Sequence, residues 1–152
     1  MSTIQEFAQY AAAFERAFES DDWSEVTSLL APDVVYEVGL PILGKARCEG
    51  RDEMIDWFKE SLNTLDRRFE KRSLALIEGP EVRDGVVWLS GTATYEAASV
   101  PPFVLKLEET LRFEEGLLVR LEDTYSDAMK AETKAYIDTH GEKLGIEDRT
   151  PR

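Results

Sequence analysis

The sequence predicts an α+β domain in which helices cover one face of a curved, largely antiparallel sheet. Three observations lead to this prediction: amphipathic helical patterns early in the chain, successive strand patterns in its second half, and short turns between those strands. Helices followed by a run of strands are typical of α+β domains. Long strands that curl around a helix-covered face commonly enclose a pocket.

Two helices are predicted at the start of the chain, forming a helical hairpin. Thr3 and Glu6 have the spacing of a capping box, and apolar residues then recur at helical intervals. Asp21 and Asp22 are expected to cap a second, shorter helix that ends before Pro32.

A strand, a loop and a third helix are predicted next. The β-branched run at residues 34–38 indicates the strand, and glycine and proline residues mark residues 39–50 as a loop. Loops of this length often border a functional site. Residues 52–65 carry apolar side chains at helical spacing after an acidic start, which predicts a helix.

The second half of the chain is predicted to form the sheet. Residues 69–78 and 86–96 have strand patterns, and the loop between them contains Asp84-Gly85, a strong turn signal. In the second of these strands, apolar and polar side chains alternate, as expected where one face packs against helices.

The last elements are a helix and a tail. Ser126 is expected to cap a helix over residues 127–140, with Gly141 as its stop. The prediction is therefore a single domain over residues 1–140, followed by a polar C-terminal tail at residues 141–152.

The longest strand pattern is a hairpin at residues 103–125, with residues 114–116 as its predicted loop. Side chains alternate between the faces of a strand, so Glu109 interrupts one apolar face and Asp123 interrupts another. With this loop the two acids become diagonal cross-strand neighbours, roughly 7 Å apart at the backbone. A two-residue loop would pair residues of opposite faces and is therefore disfavoured.

These two acids are the candidate catalytic residues. An apolar pocket disfavours the charged form of a carboxyl group, and a second acid nearby raises the pKa further. One acid of the pair could then act as general acid and the other as general base near neutral pH. The alternative is a structural role, in which the acids pair with Arg112, Arg120 or a backbone donor.

Composition excludes several classes of partner. Acidic residues number 31 against 18 Lys plus Arg, for a net charge of -13, so phosphate backbones and anionic membranes would repel the protein. No apolar run is long enough to span a bilayer, and the N-terminal residues lack the features of a secretory signal. We therefore expect a cytoplasmic protein that binds neither nucleic acid nor membrane.

No metal or cofactor is expected. The sequence contains no Cys/His cluster, acidic calcium loop, P-loop or GxGxxG motif. The single cysteine, Cys48, permits no internal disulfide and lacks a histidine partner for a nucleophilic role. His140, the only histidine, is expected to be solvated near the end of its helix.

Several aromatic residues could line a pocket for an apolar ligand, although such aromatics more often belong to the core. They are Phe14, Trp23, Tyr36, Trp57, Trp88 and Tyr95. Opposite charges alternate on the other face of the hairpin, which is typical of a solvated or dimer-facing sheet surface. Glu37 could point either into a pocket or outward at an edge.

Three segments carry a resemblance to a known family: FERAFESDDWSEVTSLLAPDVVYEV, GRDEMIDWFKE and LRFEEGLLVRLEDTYSD. Together with the order of the elements, they resemble the NTF2-like superfamily, and in particular its SnoaL-like and ketosteroid-isomerase-like branch. The resemblance implies a cone, with a curved mixed or antiparallel sheet wrapped around three N-terminal helices and an extra C-terminal helix. It also implies a deep apolar pocket for a small molecule, and often a homodimer packed through the sheet.

The resemblance extends to individual positions only in part. Glu109 falls where isomerases and polyketide cyclases of this superfamily place a catalytic acid. Phe14 and Val38 occupy the positions of the isomerase tyrosine and general-base aspartate, which leaves Tyr10 as the nearby phenol. The resemblance therefore adds Tyr10 and Val38 to the six aromatic residues as predicted ligand contacts. Dehydratase chemistry of the scytalone type needs histidines, and the Asp-Arg-Asp set of limonene-epoxide hydrolases has no match here.

The function implied is cofactor-free proton transfer on an apolar carbonyl compound, by an isomerase, cyclase or dehydratase. The alternative is a non-catalytic ligand-binding or accessory domain of the same fold. One fold hosts many unrelated functions, so both remain open at this point.

Overall fold

Four α-helices and a six-stranded mixed sheet make up the fold in the computed structural model, which describes residues 1–151. The helices are α1 (Thr3–Ser20), α2 (Ser24–Ser28), α3 (Arg51–Thr64) and α4 (Asp127–Leu144). The strands are β1 (Leu30–Val38), β2 (Arg47–Glu49), β3 (Lys71–Arg83), β4 (Val86–Ala97), β5 (Val100–Glu114) and β6 (Leu117–Thr124).

The strands lie in the order β2-β1-β6-β5-β4-β3, in a curved sheet that does not close into a barrel. Strand β1 runs parallel to β6, and all other neighbouring strands of the described chain are antiparallel. The predicted α+β cone, with helices α1–α3 against the sheet and a C-terminal helix, is confirmed. None of the helices within residues 1–151 is long and apolar enough to cross a membrane.

The first two helices differ from the prediction at their ends. The capping box of α1 uses Ser2 and Gln5, because Ser2 still has an extended backbone whereas Thr3 is already helical. The second helix is only five residues long. Leu30, predicted to belong to this helix, instead begins β1 and pairs with Leu118, since strand pairing outweighs a weak local helical pattern.

Two predicted loops contain more strand than expected. Residues 39–50 include β2, where Cys48 pairs with Tyr36 of β1. Strand β3 continues to Arg83 through two irregularities in register, so that only Asp84 and Gly85 remain as the turn. In both places the partner strand supplies the pairing that extends the element.

The C-terminal helix is also longer than predicted, since α4 runs past Gly141 and ends at Gly145 in the left-handed conformation. Gly141 lies inside the helix, where a Cβ atom would be 3.0 Å from Ile137 Cγ2 and 3.1 Å from Ile146 O. Ile146 is buried, and the backbone N–H of Arg149 donates to the carbonyl of Ile42 at 2.9 Å. Much of the segment predicted to be a polar tail therefore packs against the domain.

The β5–β6 hairpin closes with a two-residue turn, so the predicted three-residue loop is wrong. Glu115 and Gly116 both have positive φ angles, 51° and 81°, and Glu114 pairs with Leu117. A bulge beside Arg112 then shifts the register by one residue on β6. The bulge restores a common face for the acids, so that Glu109 lies directly opposite Asp123 rather than diagonal to it.

The core lies between the helices and the concave face of the sheet. An aromatic cluster joins three helices there: Phe14 of α1 packs edge-on against Trp23 at 5.4 Å and against Phe58 of α3 at 5.2 Å. Tyr36 of β1 contacts Phe58 at 5.4 Å and connects this cluster to the sheet. This packing fixes the helices at a distance from β4 and β5, and leaves space between them.

Candidate functional site

A cavity of about 570 Å³ lies between the helices and the concave face of β3–β6. Apolar side chains from α1, α3 and the sheet form most of its wall. Four of the eight residues predicted to contact a ligand line it: Tyr10, Phe14, Tyr36 and Tyr95. Glu109 and Asp123 line it as well, so the fold brings both candidate acids to one interior space.

The other four predicted contact residues lie elsewhere. Trp23 and Trp57 are buried in the core. Trp88 belongs to the opposite face of β4 from Leu89, and the Arg83 guanidinium stacks on its ring at 3.7 Å. Val38 lies beside Asp123 in the parallel β1–β6 pairing but contributes to a separate surface depression.

The two acids meet because of strand register. Glu109 of β5 and Asp123 of β6 are direct cross-strand partners on the concave face, where directly opposed side chains are closest. Asp123 is 8% exposed and Glu109 is half-buried, because its side chain borders the cavity. Both carboxyl groups are therefore removed from bulk solvent, and neither has a basic partner among the described residues.

This environment favours one proton shared by the pair. Burial raises the pKa of Glu109 well above its usual range, and the charge of Asp123 raises it further. Burial also raises the pKa of Asp123, although hydrogen bonds from Glu109 and Tyr36 act in the opposite direction. Both carboxyl groups therefore keep a proton to higher pH than an exposed acid does.

The hydrogen bonds of Asp123 indicate which member of the pair carries the shared proton. Its Oδ2 atom accepts a hydrogen bond from the Tyr36 hydroxyl at 2.5 Å. Its Oδ1 atom is buried and has no donor when Glu109 is ionised. A proton on Glu109 supplies the missing donor, because a buried acceptor without a partner is costly.

Two further tyrosines border the acid pair. No described residue accepts a hydrogen bond from the hydroxyl of Tyr10 or of Tyr125, and both side chains line the cavity. Burial raises the pKa of each tyrosine well above its usual range, and the nearby Asp123 and Glu109 carboxyl groups raise it further. Both hydroxyls therefore remain protonated and available to donate to a ligand.

A second polar group lies in the same cavity. Arg72 of β3 donates through Nε to Asp66 Oδ2 at 2.9 Å and through Nη1 to Glu15 Oε1 at 2.7 Å. The Tyr95 hydroxyl donates to the same Asp66 oxygen at 2.9 Å. Burial raises the pKa of Asp66, and the Arg72 charge opposes that shift.

Sequence reasoning missed three of these residues. Tyr125 could have been found, because it is two residues after Asp123 and so shares its strand face. Asp66 and Arg72 have no local pattern that connects them. Their contact forms only when β3 folds back beside the end of α3.

Two other residues considered from the sequence, Glu37 and Cys48, lie outside the cavity. Glu37 pairs with Arg47 at 2.5 Å and with Arg120 at 3.1 Å, in an exposed network on the other face of the sheet. Cys48 is buried, and burial raises the pKa of its thiol to about 11. Within residues 1–151, no group of three or more Cys, His, Asp or Glu side chains is arranged to hold a metal ion.

Comparison with known proteins identifies relatives of this fold. The family model described as the SnoaL-like domain matches residues 10–121. An NTF2-like protein of unknown function from Burkholderia pseudomallei is 26% identical, with 90% of this chain and 98% of that chain covered and a TM-score of 0.65. The sequence matches none of the curated proteins with which it was compared.

Two more distant structures share the fold. A putative isomerase from Bacillus subtilis is 15% identical over 89% of this chain and 96% of that chain, with a TM-score of 0.65. A hypothetical protein with a ketosteroid isomerase-like fold from Catenulispora acidiphila, in complex with trimethylamine, is 16% identical over 84% and 92%, with a TM-score of 0.59. Identities this low indicate similarity of fold alone.

Proposed function

This chain belongs to the SnoaL-like domain family, and we propose that it is a cofactor-free enzyme that transfers protons on an apolar carbonyl compound. The reaction class is isomerisation, cyclisation or dehydration through an enol or enolate. One observation carries the proposal: Glu109 and Asp123 face each other inside an apolar cavity, where Asp123 Oδ1 has a hydrogen-bond donor only if Glu109 keeps a proton.

A carboxyl pair that shares one proton can perform both halves of such a reaction. The ionised member removes a proton from the carbon next to the carbonyl group, and the C–H electron pair moves onto the carbonyl oxygen. The protonated member returns a proton to another carbon, or to a leaving hydroxyl group. In an isomerisation the protons balance, so the pair is restored after each turnover.

The developing charge on the substrate oxygen also needs hydrogen-bond donors. The free hydroxyls of Tyr10 and Tyr125 border the same carboxyl groups and face the cavity. Donors fixed before the reaction stabilise a developing oxyanion without reorganisation, and they act more strongly where water is excluded. The apolar wall restricts the ligand to one with little charge.

The test is exchange of carbon-bound hydrogen in D₂O, followed by proton NMR with a panel of cyclic ketones and enones. We expect the protein to accelerate exchange next to the carbonyl group of at least one compound. Glu109→Gln and Asp123→Asn should each reduce that rate by about 10²- to 10⁴-fold, the usual contribution of a general acid or base. Glu108→Gln is the matched control, because Glu108 neighbours Glu109 in sequence but is exposed on the opposite face.

Equal exchange rates in the wild type and in Glu109→Gln would contradict the proposal. The second candidate function, non-catalytic binding of an apolar ligand, would then be favoured. This second function is supported by two apolar residues, Phe14 and Val38. They stand at the positions where the isomerases that this sequence resembles have a tyrosine and an aspartate. In that case ligands should bind the cavity without any change in their exchange rate.

A further inference from the structure

The cavity has a polar end that the proton-transfer chemistry does not use. Arg72 lines the cavity with a side chain only 12% exposed, and the ring of Phe18 lies 4.6 Å from its guanidinium carbon. Asp66 and Glu15 hold this side chain through one hydrogen bond each. The guanidinium is therefore fixed in position before any ligand arrives.

Three donors of this guanidinium remain unused, including both on Nη2. Arginine has five N–H donors, and the protein contacts involve only Nε and Nη1. No acceptor among residues 1–151 takes a hydrogen bond from Nη2. The Nη2 atom is not a buried atom without a partner, so it is accessible to solvent, and Arg72 lines the cavity.

Strand β4 separates this donor from the acid pair. Tyr95 pairs with Arg72 of β3, and Leu89 pairs with Glu109 of β5. Six residues of extended strand correspond to roughly 20 Å between the backbone positions of the two ends. The wall between the two ends is largely apolar, with Gly91, Ala93, Leu105 and Leu107 among its members.

The charges around Arg72 determine which kind of ligand group can bind at this end of the cavity. Arg72 contacts two carboxylates, those of Asp66 and Glu15, so the cluster as a whole is not positive. The acid pair adds negative charge at the other end. An anionic ligand would meet repulsion at both ends, whereas a neutral hydroxyl or carbonyl oxygen can accept a hydrogen bond from Nη2 without this penalty.

We propose that Arg72 is a specificity-determining residue, and that the cavity binds an elongated, uncharged molecule with an apolar body and an oxygen acceptor at each end. The proposal rests on the proposed function, in which one end of the ligand meets the acid pair. It adds that Arg72 Nη2 holds the opposite end. Arg72 acts in ligand binding and takes no part in the proton transfer.

The test compares ligands that differ by one hydroxyl group. The probes are trans-4-hydroxystilbene and trans-4,4′-dihydroxystilbene, with 4-phenylphenol and 4,4′-biphenol as a shorter pair. Dissociation constants are measured by fluorescence titration below pH 8, where these phenols are neutral. We expect the dihydroxy compound of at least one pair to bind the wild type about tenfold more tightly than its monohydroxy partner, as a charge-assisted hydrogen bond predicts.

The variant that isolates Arg72 is Arg72→Lys. A lysine keeps the positive charge beside Asp66 and Glu15, but its single Nζ atom lacks the separate Nη2 branch of the planar fork that would reach the ligand. We expect the advantage of the dihydroxy compound to disappear while the monohydroxy compound binds as before. Arg120→Lys is the matched control, because Arg120 lies outside the cavity and should leave every constant unchanged.

The outcomes separate this inference from the proposed function. If the dihydroxy compounds have no advantage in the wild type, or keep it in Arg72→Lys, the role of Arg72 is overturned while the proton-transfer proposal stands. If none of the four phenols binds, the cavity is not a site for elongated neutral ligands, and the inference is overturned. Loss of hydrogen exchange in Glu109→Gln tests the proposed function independently of either result.

Discussion

At the scale of single residues, Glu109 is the acid whose pKa is raised both by burial and by a neighbouring carboxyl group. Its carboxyl group must leave water to enter the cavity, and it does so beside Asp123 rather than beside a base. Both effects raise its pKa in the folded protein, whereas its pKa in the unfolded chain is ordinary. The folded state therefore binds the Glu109 proton more tightly than the unfolded state does.

This difference gives stability a defined dependence on pH. The stabilising contribution of protonated Glu109 is complete below its unfolded pKa, and it is lost as the pH rises through the raised folded pKa. In Glu109→Gln the amide does not titrate, and its N–H can donate to Asp123 Oδ1. We expect the stability of the variant relative to wild type to rise with pH above about 4.5, by at most about 1.4 kcal/mol per pH unit.

The measurement is urea unfolding of both proteins at several pH values between 4.5 and 8. Glu108→Gln controls for removal of one carboxyl group, because Glu108 neighbours Glu109 in sequence but its side chain is exposed on the opposite face of β5. Parallel stability curves for wild type and Glu109→Gln would show that the Glu109 pKa is ordinary in the folded state.

The sequence was enough to predict on which face of a strand a side chain lies, but not whether that side chain borders the cavity or packs in the core. Alternation along β5 and β6 was enough to identify Glu109 and Asp123 as the two acids on apolar faces. It could not separate a cavity-lining aromatic such as Tyr36 from a core aromatic such as Trp57, since both are buried. The role of Arg72 depends on contacts between elements distant in the chain, which no local pattern reveals.

At the scale of elements, the β5–β6 turn and its bulge together place the acids opposite each other. Glu115 has a φ angle of 51°, a left-handed conformation in which glutamate is unfavourable. A three-residue loop would leave residue 115 right-handed, with only the glycine in the left-handed region. The bulge near Arg112 was not predictable, because an extra residue in one strand is visible only against its partner.

Substitutions in this turn therefore distinguish the two loop types. Glu115→Asn should stabilise the protein by about 0.5 kcal/mol, because asparagine tolerates the left-handed region. Gly116→Ala should destabilise it by about 1 kcal/mol through backbone strain alone, since nothing lies within 4 Å of a Cβ at that position. Both values are obtained from denaturant unfolding at neutral pH.

A second turn provides the comparison. Asp84 and Gly85 have φ angles of 51° and 77°, nearly those of Glu115 and Gly116. Gly85→Ala, also without neighbours within 4 Å, should therefore cost about as much as Gly116→Ala. A loss of stability in Glu115→Asn would mean that residue 115 is not left-handed in solution, and that the acids are not directly opposed.

At the scale of the whole molecule, the dominant feature is the excess of negative charge. The net charge is -13 at pH 7, and the isoelectric point calculated from the sequence is about 4.5. Ion pairs such as Arg16–Glu25 and Arg149–Glu60 are exposed, and each contributes little to stability. Assembly as a homodimer through the sheet stays a prediction, and like charges on two copies would oppose it at low salt.

Repulsion between charges of the same molecule should make its stability depend on salt, because the folded chain holds these charges closer together than the unfolded chain does. Raising NaCl from 20 to 300 mM at pH 7.5 shortens the range of the repulsion, and should increase the free energy of unfolding by about 1 kcal/mol. For a chain of this size that corresponds to a rise in Tm of about 3 °C, measurable by calorimetry. At pH 4.5, where the net charge is near zero, the same salt step should leave the Tm nearly unchanged. A Tm that falls with salt at pH 7.5 would mean that the surface ion pairs outweigh the net repulsion.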